Sequence, residues 1–241
     1  MDYEIMMNGN VKIGERAPDF EAETTMGNIS LNDYLGKWII LFSHPGDFTP
    51  VCTTEMISFA RANTYFNKLN TCLIGLSVDS LYSHLAWIYD IYCRTKIKIP
   101  FPIIADRNGE IARKYGMISN NVSTVETVRN VYIIDDKGII RLILVYPMNI
   151  GRSIPEILRV LQALQCADEN QASMPANWTP CEPVISSIPQ TLDGVIGRNN
   201  EINQNRNGIN WYLSFKQPNN CKLLEDEWKE WKSWNNLNSV L

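Results

Sequence analysis

Two uninterrupted apolar runs constrain the fold of this chain more than any other feature: Trp38-Ile39-Ile40-Leu41-Phe42 and Thr71-Cys72-Leu73-Ile74-Gly75-Leu76-Ser77-Val78. A strand with one face in water alternates polar and apolar residues, whereas an unbroken run belongs to a sheet covered on both faces. Between the two runs an amphipathic segment opens near Cys52 and predicts a helix to about Phe66. Downstream, Leu85, Ile88 and Tyr92 give helical spacing over Ser83 to Tyr92, and Phe101-Pro102-Ile103-Ile104 reads as a short strand. Glu110 to Tyr115 reads as a helix stopped by Gly116. Asp135-Asp136-Lys137-Gly138 is a hairpin signal between Val131-Tyr132-Ile133-Ile134 and the run Ile139 to Tyr146. Ile154 to Cys166 predicts a closing helix with Ile157, Leu158, Leu161 and Leu164 on one face. Ahead of the first run only a turn at Thr25-Met26-Gly27-Asn28 is readable. This order predicts an α/β protein with a mixed sheet flanked by helices.

From about Asp168 the composition turns to Asn, Pro and Gln with scattered aromatics, which predicts a division into residues 1–168 and a C-terminal extension, 169–241. Asn199 to Asn207 reads as a polar loop, and Leu224, Trp228 and Trp231 share one face of a short helix. With Trp178 and Trp211, that is more indole surface than a small arm buries alone. Contact with another subunit is expected.

The 241 residues carry a net charge of −4 with Lys and Arg dispersed, which argues against nucleic acid as a partner. No apolar stretch approaches the roughly 20 residues a membrane span requires, and no basic region followed by an apolar run begins the chain; a cytoplasmic protein is expected. The six cysteines, at 52, 72, 93, 166, 181 and 221, are too widely spaced for a small disulfide scaffold and form no Cys-x-x-Cys pair. With His44 and His84 the only histidines, no metal site and no cofactor are expected.

Chemistry concentrates in Ser43-His44-Pro45-Gly46-Asp47-Phe48-Thr49-Pro50-Val51-Cys52-Thr53-Thr54-Glu55. Cys52 falls at a strand-to-helix junction, where unpaired N–H groups and the helix dipole favour a thiolate, making it a candidate nucleophile. Prolines on either side stiffen the approach of Thr49. The pattern Pro45-x-x-x-Thr49-x-x-Cys52 resembles the active-site signature of peroxiredoxins, the thiol peroxidases. Gly14-Glu15-Arg16-Ala17-Pro18-Asp19-Phe20 is similar to the opening of that family, and Thr127-Val128-Arg129-Asn130-Val131-Tyr132-Ile133-Ile134-Asp135 to its arginine-bearing strand. Met174-Pro175-Ala176-Asn177-Trp178 resembles the C-terminal extension of the 1-Cys type, a subfamily that includes archaeal ring-forming members.

The resemblance implies a thioredoxin-like fold and reduction of hydrogen peroxide and organic hydroperoxides through a Cys52 sulfenic acid, in antioxidant defence. It puts Arg129 on a strand facing the thiol, to favour the thiolate and bind peroxide, and gives Thr49 a hydroxyl for the peroxide. Pro45, Arg152 and Glu55 are supporting residues, Glu55 one helical turn beyond Cys52 and able to hold both arginines. Partners implied are the peroxide, an external thiol reductant, and further copies of the chain in a homodimer that closes into a homodecamer ring.

The sequence also departs from its relatives. Where some archaeal members carry a resolving cysteine in the arm, the matching segment here is Gly208-Ile209-Asn210-Trp211-Tyr212-Leu213-Ser214, without cysteine. Cys181 and Cys221 lie off that register, each a displaced resolving thiol or a spectator. Gly36-Lys37-Trp38-Ile39 lacks the serine of the lipase motif found in mammalian 1-Cys enzymes, so phospholipase activity is not expected. Two other readings compete: a non-catalytic holdase ring, and a cysteine hydrolase pairing Cys52 with His44 or His84.

Overall fold

The computed structural model describes residues 11–219. Cys221, Leu224, Trp228 and Trp231 lie outside the described residues. The chain divides into two compact units, the first running to Ile154 and the second starting at Pro155. The expected division, 168/169, falls at the other end of the helix that follows.

The first unit is built on a seven-stranded mixed sheet in the order β2-β1-β5-β4-β3-β6-β7. Its strands are β1 (Glu21–Thr24), β2 (Gly27–Ser30), β3 (Trp38–Ser43), β4 (Thr71–Ser77), β5 (Ile103–Ala105), β6 (Arg129–Ile134) and β7 (Ile140–Tyr146). Its helices are α1 (Pro50–Lys68), α2 (Leu81–Thr95) and the short α3 (Glu110–Lys114). The β3-α1-β4 and β4-α2-β5 crossovers make parallel neighbours, with Ile40 opposite Leu73 and Leu76 opposite Ile104. On the other side β6 runs antiparallel to β3, pairing Ile133 with Ile40, and turns into β7. Every residue of β3 and β6 is buried, as expected of strands with protein on both faces.

Helix α1 packs on β4, and its Phe59 ring stacks on Phe42 of β3 at 4.1 Å between centroids. Helix α2 packs along β5. An apolar cluster on one side of the sheet runs from Phe20 and Leu31 to Ile39, Leu41, Ile74, Leu76, Tyr132 and Ile134. The β1–β2 hairpin is the element the sequence reading reduced to a turn. Its strands are four residues each, and Glu-Ala-Glu-Thr carries too little apolar alternation to announce itself.

The second unit begins with α4 (Ile154–Asn170) and continues through a small antiparallel sheet in the order β8-β10-β9. Those strands are β8 (Val184–Ile185), β9 (Gly208–Asn210) and β10 (Leu213–Lys216). Residues 199–205, expected to be loop, are helical: they form the second half of α5 (Leu192–Asn205). The Thr191 side chain caps its start by accepting from the Gly194 N–H at 3.1 Å, Ile202 is buried, and Arg206 ends it in the left-handed conformation. A cap and a buried contact outweigh the weak helix preference of asparagine. Trp178 also departs from expectation: it is buried inside its own unit against Ala163 and Val184, and its indole N–H donates to the Glu182 carbonyl at 3.0 Å. The last turns of α4 supply the wall that a short arm was expected to lack.

Candidate active site

Cys52 sits in the first turn of α1, whose N-cap is Thr49 and which starts with Pro50. Proline suits that position because its missing N–H would have no helical partner anyway. The Cys52 side chain is fully buried, and its sulfur lies 3.4 Å from Nη1 of Arg129, at the start of β6. One turn on, Glu55 binds both arginines. Its Oε2 accepts from Arg129 Nη1 at 2.7 Å and from Arg152 Nη2 at 2.7 Å, while its Oε1 accepts from the backbone N–H and Nε of Arg152, each at 2.8 Å. Burial alone would raise the Glu55 carboxyl, but Arg152 first and then Arg129 hold it below the usual carboxylate range.

The remaining guanidinium donors find main-chain carbonyls. Arg129 donates to the Met148 carbonyl through Nε at 2.8 Å and Nη2 at 2.6 Å. Arg152 donates to the carbonyls of Ser43 and Asn130, each at 2.9 Å, and lies over the rings of Phe42 and Phe59. The bonds to Glu55 and the Met148 carbonyl hold the Arg129 fork beside the thiol. The Met148 carbonyl is a functional group no side-chain reading could find, since the loop after β7 brings it in as backbone.

Thr49 donates its hydroxyl to the Gly46 carbonyl at 2.8 Å, so that carbonyl, rather than the sulfur, orients it. Its oxygen keeps lone pairs free to accept a peroxide proton. Before it, Phe48 stands at φ 57°, in the left-handed region, with an exposed ring. Asp47 is buried between the two histidines: Oδ1 is 3.0 Å from His44 Nε2 and Oδ2 is 2.9 Å from His84 Nδ1. Burial would raise its carboxyl, yet hydrogen bonds from His44 and His84 hold it well below the usual range. Burial pushes His44 down, toward the neutral ring. These three residues are the one group among those described whose ligand atoms lie close enough to share a metal ion, and they are already joined to one another by hydrogen bonds. Neither histidine is hydrogen-bonded to Cys52: His44 Nδ1 is buried without a partner, and His84 Nε2 faces the Ile104 carbonyl at 3.2 Å. That geometry gives the hydrolase reading no base.

The thiols outside this site are dispersed. Cys72, Cys93 and Cys166 are free, and burial pushes Cys72 and Cys166 up, away from reactivity. Cys181 is disulfide-bonded.

Residues 13–143 match the model of the AhpC/TSA family. Peroxiredoxin 2 of Caldanaerobacter subterraneus is 52% identical over 206 residues, covering 86% of this chain and 93% of that one. The chain belongs to the peroxiredoxin family. Among solved structures, a yeast mitochondrial 1-Cys peroxiredoxin is 42% identical at a TM-score of 0.75, covering 86% of this chain and 99% of its own. A variant of peroxiredoxin 6 from Arenicola marina is 32% identical at 0.76, covering 88% and 100%. The mixed sheet flanked by helices is thus the thioredoxin fold of peroxiredoxins, and the enzyme is a thiol-dependent peroxidase with an antioxidant role.

Proposed function

We propose that Cys52 is the peroxidatic thiol, on the observation that its sulfur lies 3.4 Å from Nη1 of an arginine fork whose same Nη1 is held by Glu55 and whose far side is held by the Met148 carbonyl. Two guanidinium charges against one carboxylate leave one positive charge in a buried site, and a Cys52 thiolate completes the balance. The thiolate attacks one oxygen of the O–O bond, that bond breaks, and the other oxygen leaves as water or alcohol carrying the peroxide's own proton; Cys52 ends as a sulfenate, which takes a proton from solvent to become the sulfenic acid. Arg129 stabilises the charge that develops on both oxygens, and Thr49 accepts from the peroxide proton. Pro45 stiffens the approach to Thr49, and Arg152 and Glu55 hold Arg129 in place.

The sulfenic acid is returned to thiol by an external thiol reductant. Glutathione or thioredoxin is the reductant class we favour, since both systems serve thiol resolving in the yeast mitochondrial relative. Cys181 is disulfide-bonded, which favours one-cysteine chemistry over resolution by that residue. Four free thiols, Cys52, Cys72, Cys93 and Cys166, against the one bonded Cys181 suit a reducing compartment better than an oxidising one, and we assign the enzyme to the cytoplasm. No helix among the described residues is long and apolar enough to cross a membrane. A homodimer assembling into a homodecamer ring is proposed for the quaternary state: β7 ends the sheet with Val145 exposed, and such an edge invites a second copy.

Mass spectrometry after one equivalent of peroxide tests the reading. A gain of one oxygen on Cys52, and no turnover in Cys52→Ser, are expected. Turnover retained in Cys52→Ser removes Cys52 from the chemistry.

A further inference from the structure

The loop between β3 and α1 is held more firmly than a surface loop requires. Asp47 has a side chain only 1% exposed, and groups from three elements converge on it. His44 comes from the end of β3, His84 from α2, and Asp79, from the loop after β4, accepts the Asp47 backbone N–H at 3.0 Å. Asp79 is itself tied to Ser77 by the serine hydroxyl at 2.8 Å and by its own N–H at 3.1 Å. Both ring nitrogens of His84 face acceptors, the Asp47 carboxylate and the Ile104 carbonyl, so β5 anchors the far side of the clamp.

The residue that follows is the strained one. A bulky side chain at positive φ is an outlier, and such a conformation persists only where its surroundings over-determine it. Phe48 lies at φ 57°, and its side chain is 58% exposed, its ring meeting Trp87 of α2 at 6.5 Å between centroids. Immediately after it come Thr49, at the N-cap position of α1, and Cys52 in the first turn. The direction in which the chain enters the helix is therefore set at Phe48, and the residue before it, Asp47, is the one that is clamped.

We propose that Asp47, clamped by His44 and His84, is a positioning residue: it keeps Phe48 in its left-handed turn and thereby fixes Thr49 and Cys52 against Arg129. This rests on Cys52 being the peroxidatic thiol. Asp47 touches neither the sulfur nor Arg129, so its effect on the reaction passes through the backbone of Phe48. A brace of this kind has a consequence that a purely stabilising contact lacks: glycine at position 48 takes positive φ without strain, so it removes the need for the clamp.

The test is a cycle of full-length variants read by the second-order rate constant with hydrogen peroxide and by the pH profile of Cys52 alkylation. Asp47→Asn keeps the shape of the side chain and loses its charge; its rate is expected to fall about tenfold to a hundredfold, the range that relief of one strained backbone position covers. The alkylation midpoint should move upward with it. Phe48→Gly alone should stay within about threefold of the parent, and Asp47→Asn combined with Phe48→Gly should recover most of the loss. His84→Gln should repeat the pattern. A parental rate in Asp47→Asn, or a loss that Phe48→Gly does not relieve, overturns the proposal. If Asp47→Asn fails to fold and Phe48→Gly does not restore folding, Asp47 serves the fold only and the proposal is likewise overturned. Cys52→Ser separates the two levels: turnover surviving in it refutes the assignment of the thiol, whatever the cycle returns.

Discussion

Arg129 and Arg152 share one carboxylate but are held differently, and their substitutions should separate accordingly. Arg129 reaches the sulfur, Glu55 and the Met148 carbonyl at once, a set that needs a planar fork. Arg129→Lys keeps the charge and loses the geometry; its rate constant with peroxide should drop by about a hundredfold or more, as for loss of one aimed donor at a reacting centre. Unchanged kinetics would show that charge alone suffices. Glu55→Gln leaves two buried guanidinium groups with no counter-charge but the Cys52 thiolate, so it should cost about 3 kcal/mol or more of stability in denaturant unfolding as well as rate. A variant as stable as the parent would remove Glu55 as the clamp. The same groups set an acid limit. His44, Glu55 and Asp47 all lie below their ordinary values of 6.5, 4.5 and 3.8 in the folded chain. The unfolded chain therefore binds more protons below those values, and stability falls as pH falls. Thermal unfolding should be level from about pH 7 to 8, decline below about 6.5 as unfolded His44 charges, and steepen below about 4.5. Greater stability at pH 4 than at pH 7 would contradict this.

At the scale of elements, what was readable tracks how much apolar surface each one buries. Strands β3 and β4 are buried and unbroken, and α1 and α4 carry long apolar faces, so all four stand out in the sequence. The β1–β2 hairpin buries little, and α5 carries four asparagines and two glycines in fourteen residues, so neither does. Helix α5 leans on its cap, which makes a local prediction. Thr191→Val removes the side-chain oxygen that meets the Gly194 N–H and should destabilise the second unit by about 1 kcal/mol, with the peroxide rate unchanged. Hydrogen exchange confined to Leu192–Asn205 would report it; exchange equal to the parent would mean the cap contributes nothing. The candidate site divides in the same way. Pro45, Thr49, Cys52 and Glu55 sit within eleven residues, and Arg129 and Arg152 are side chains of unmistakable type. The Met148 carbonyl carries no sequence signature, and the pairing of Asp47 with His84 spans 37 residues with no local pattern to join them.

At the scale of the whole molecule, the question is what the second unit does for the first. Trp178, expected to need another subunit, is covered by Ala163 and Val184 of its own unit, so part of the case for assembly through the arm falls away. What remains is the division of the chain. Compact packing changes between Ile154 and Pro155, which puts α4 with the arm rather than with the sheet. A cut after Asp168 thus passes through the second unit instead of between units: it leaves Ala163 and Cys166 on α4 without the Trp178 and Val184 that pack on them. The exposed apolar face should make the shortened chain associate improperly. In sedimentation velocity it should lose the discrete ring species proposed for the full chain and give a broad distribution, and its peroxide turnover should fall. If it instead sediments like the intact enzyme and keeps its turnover, residues 169–241 contribute neither to assembly nor to the environment of Cys52, and the oligomer must be built from the first unit alone, with the open edge of β7 as the place to look.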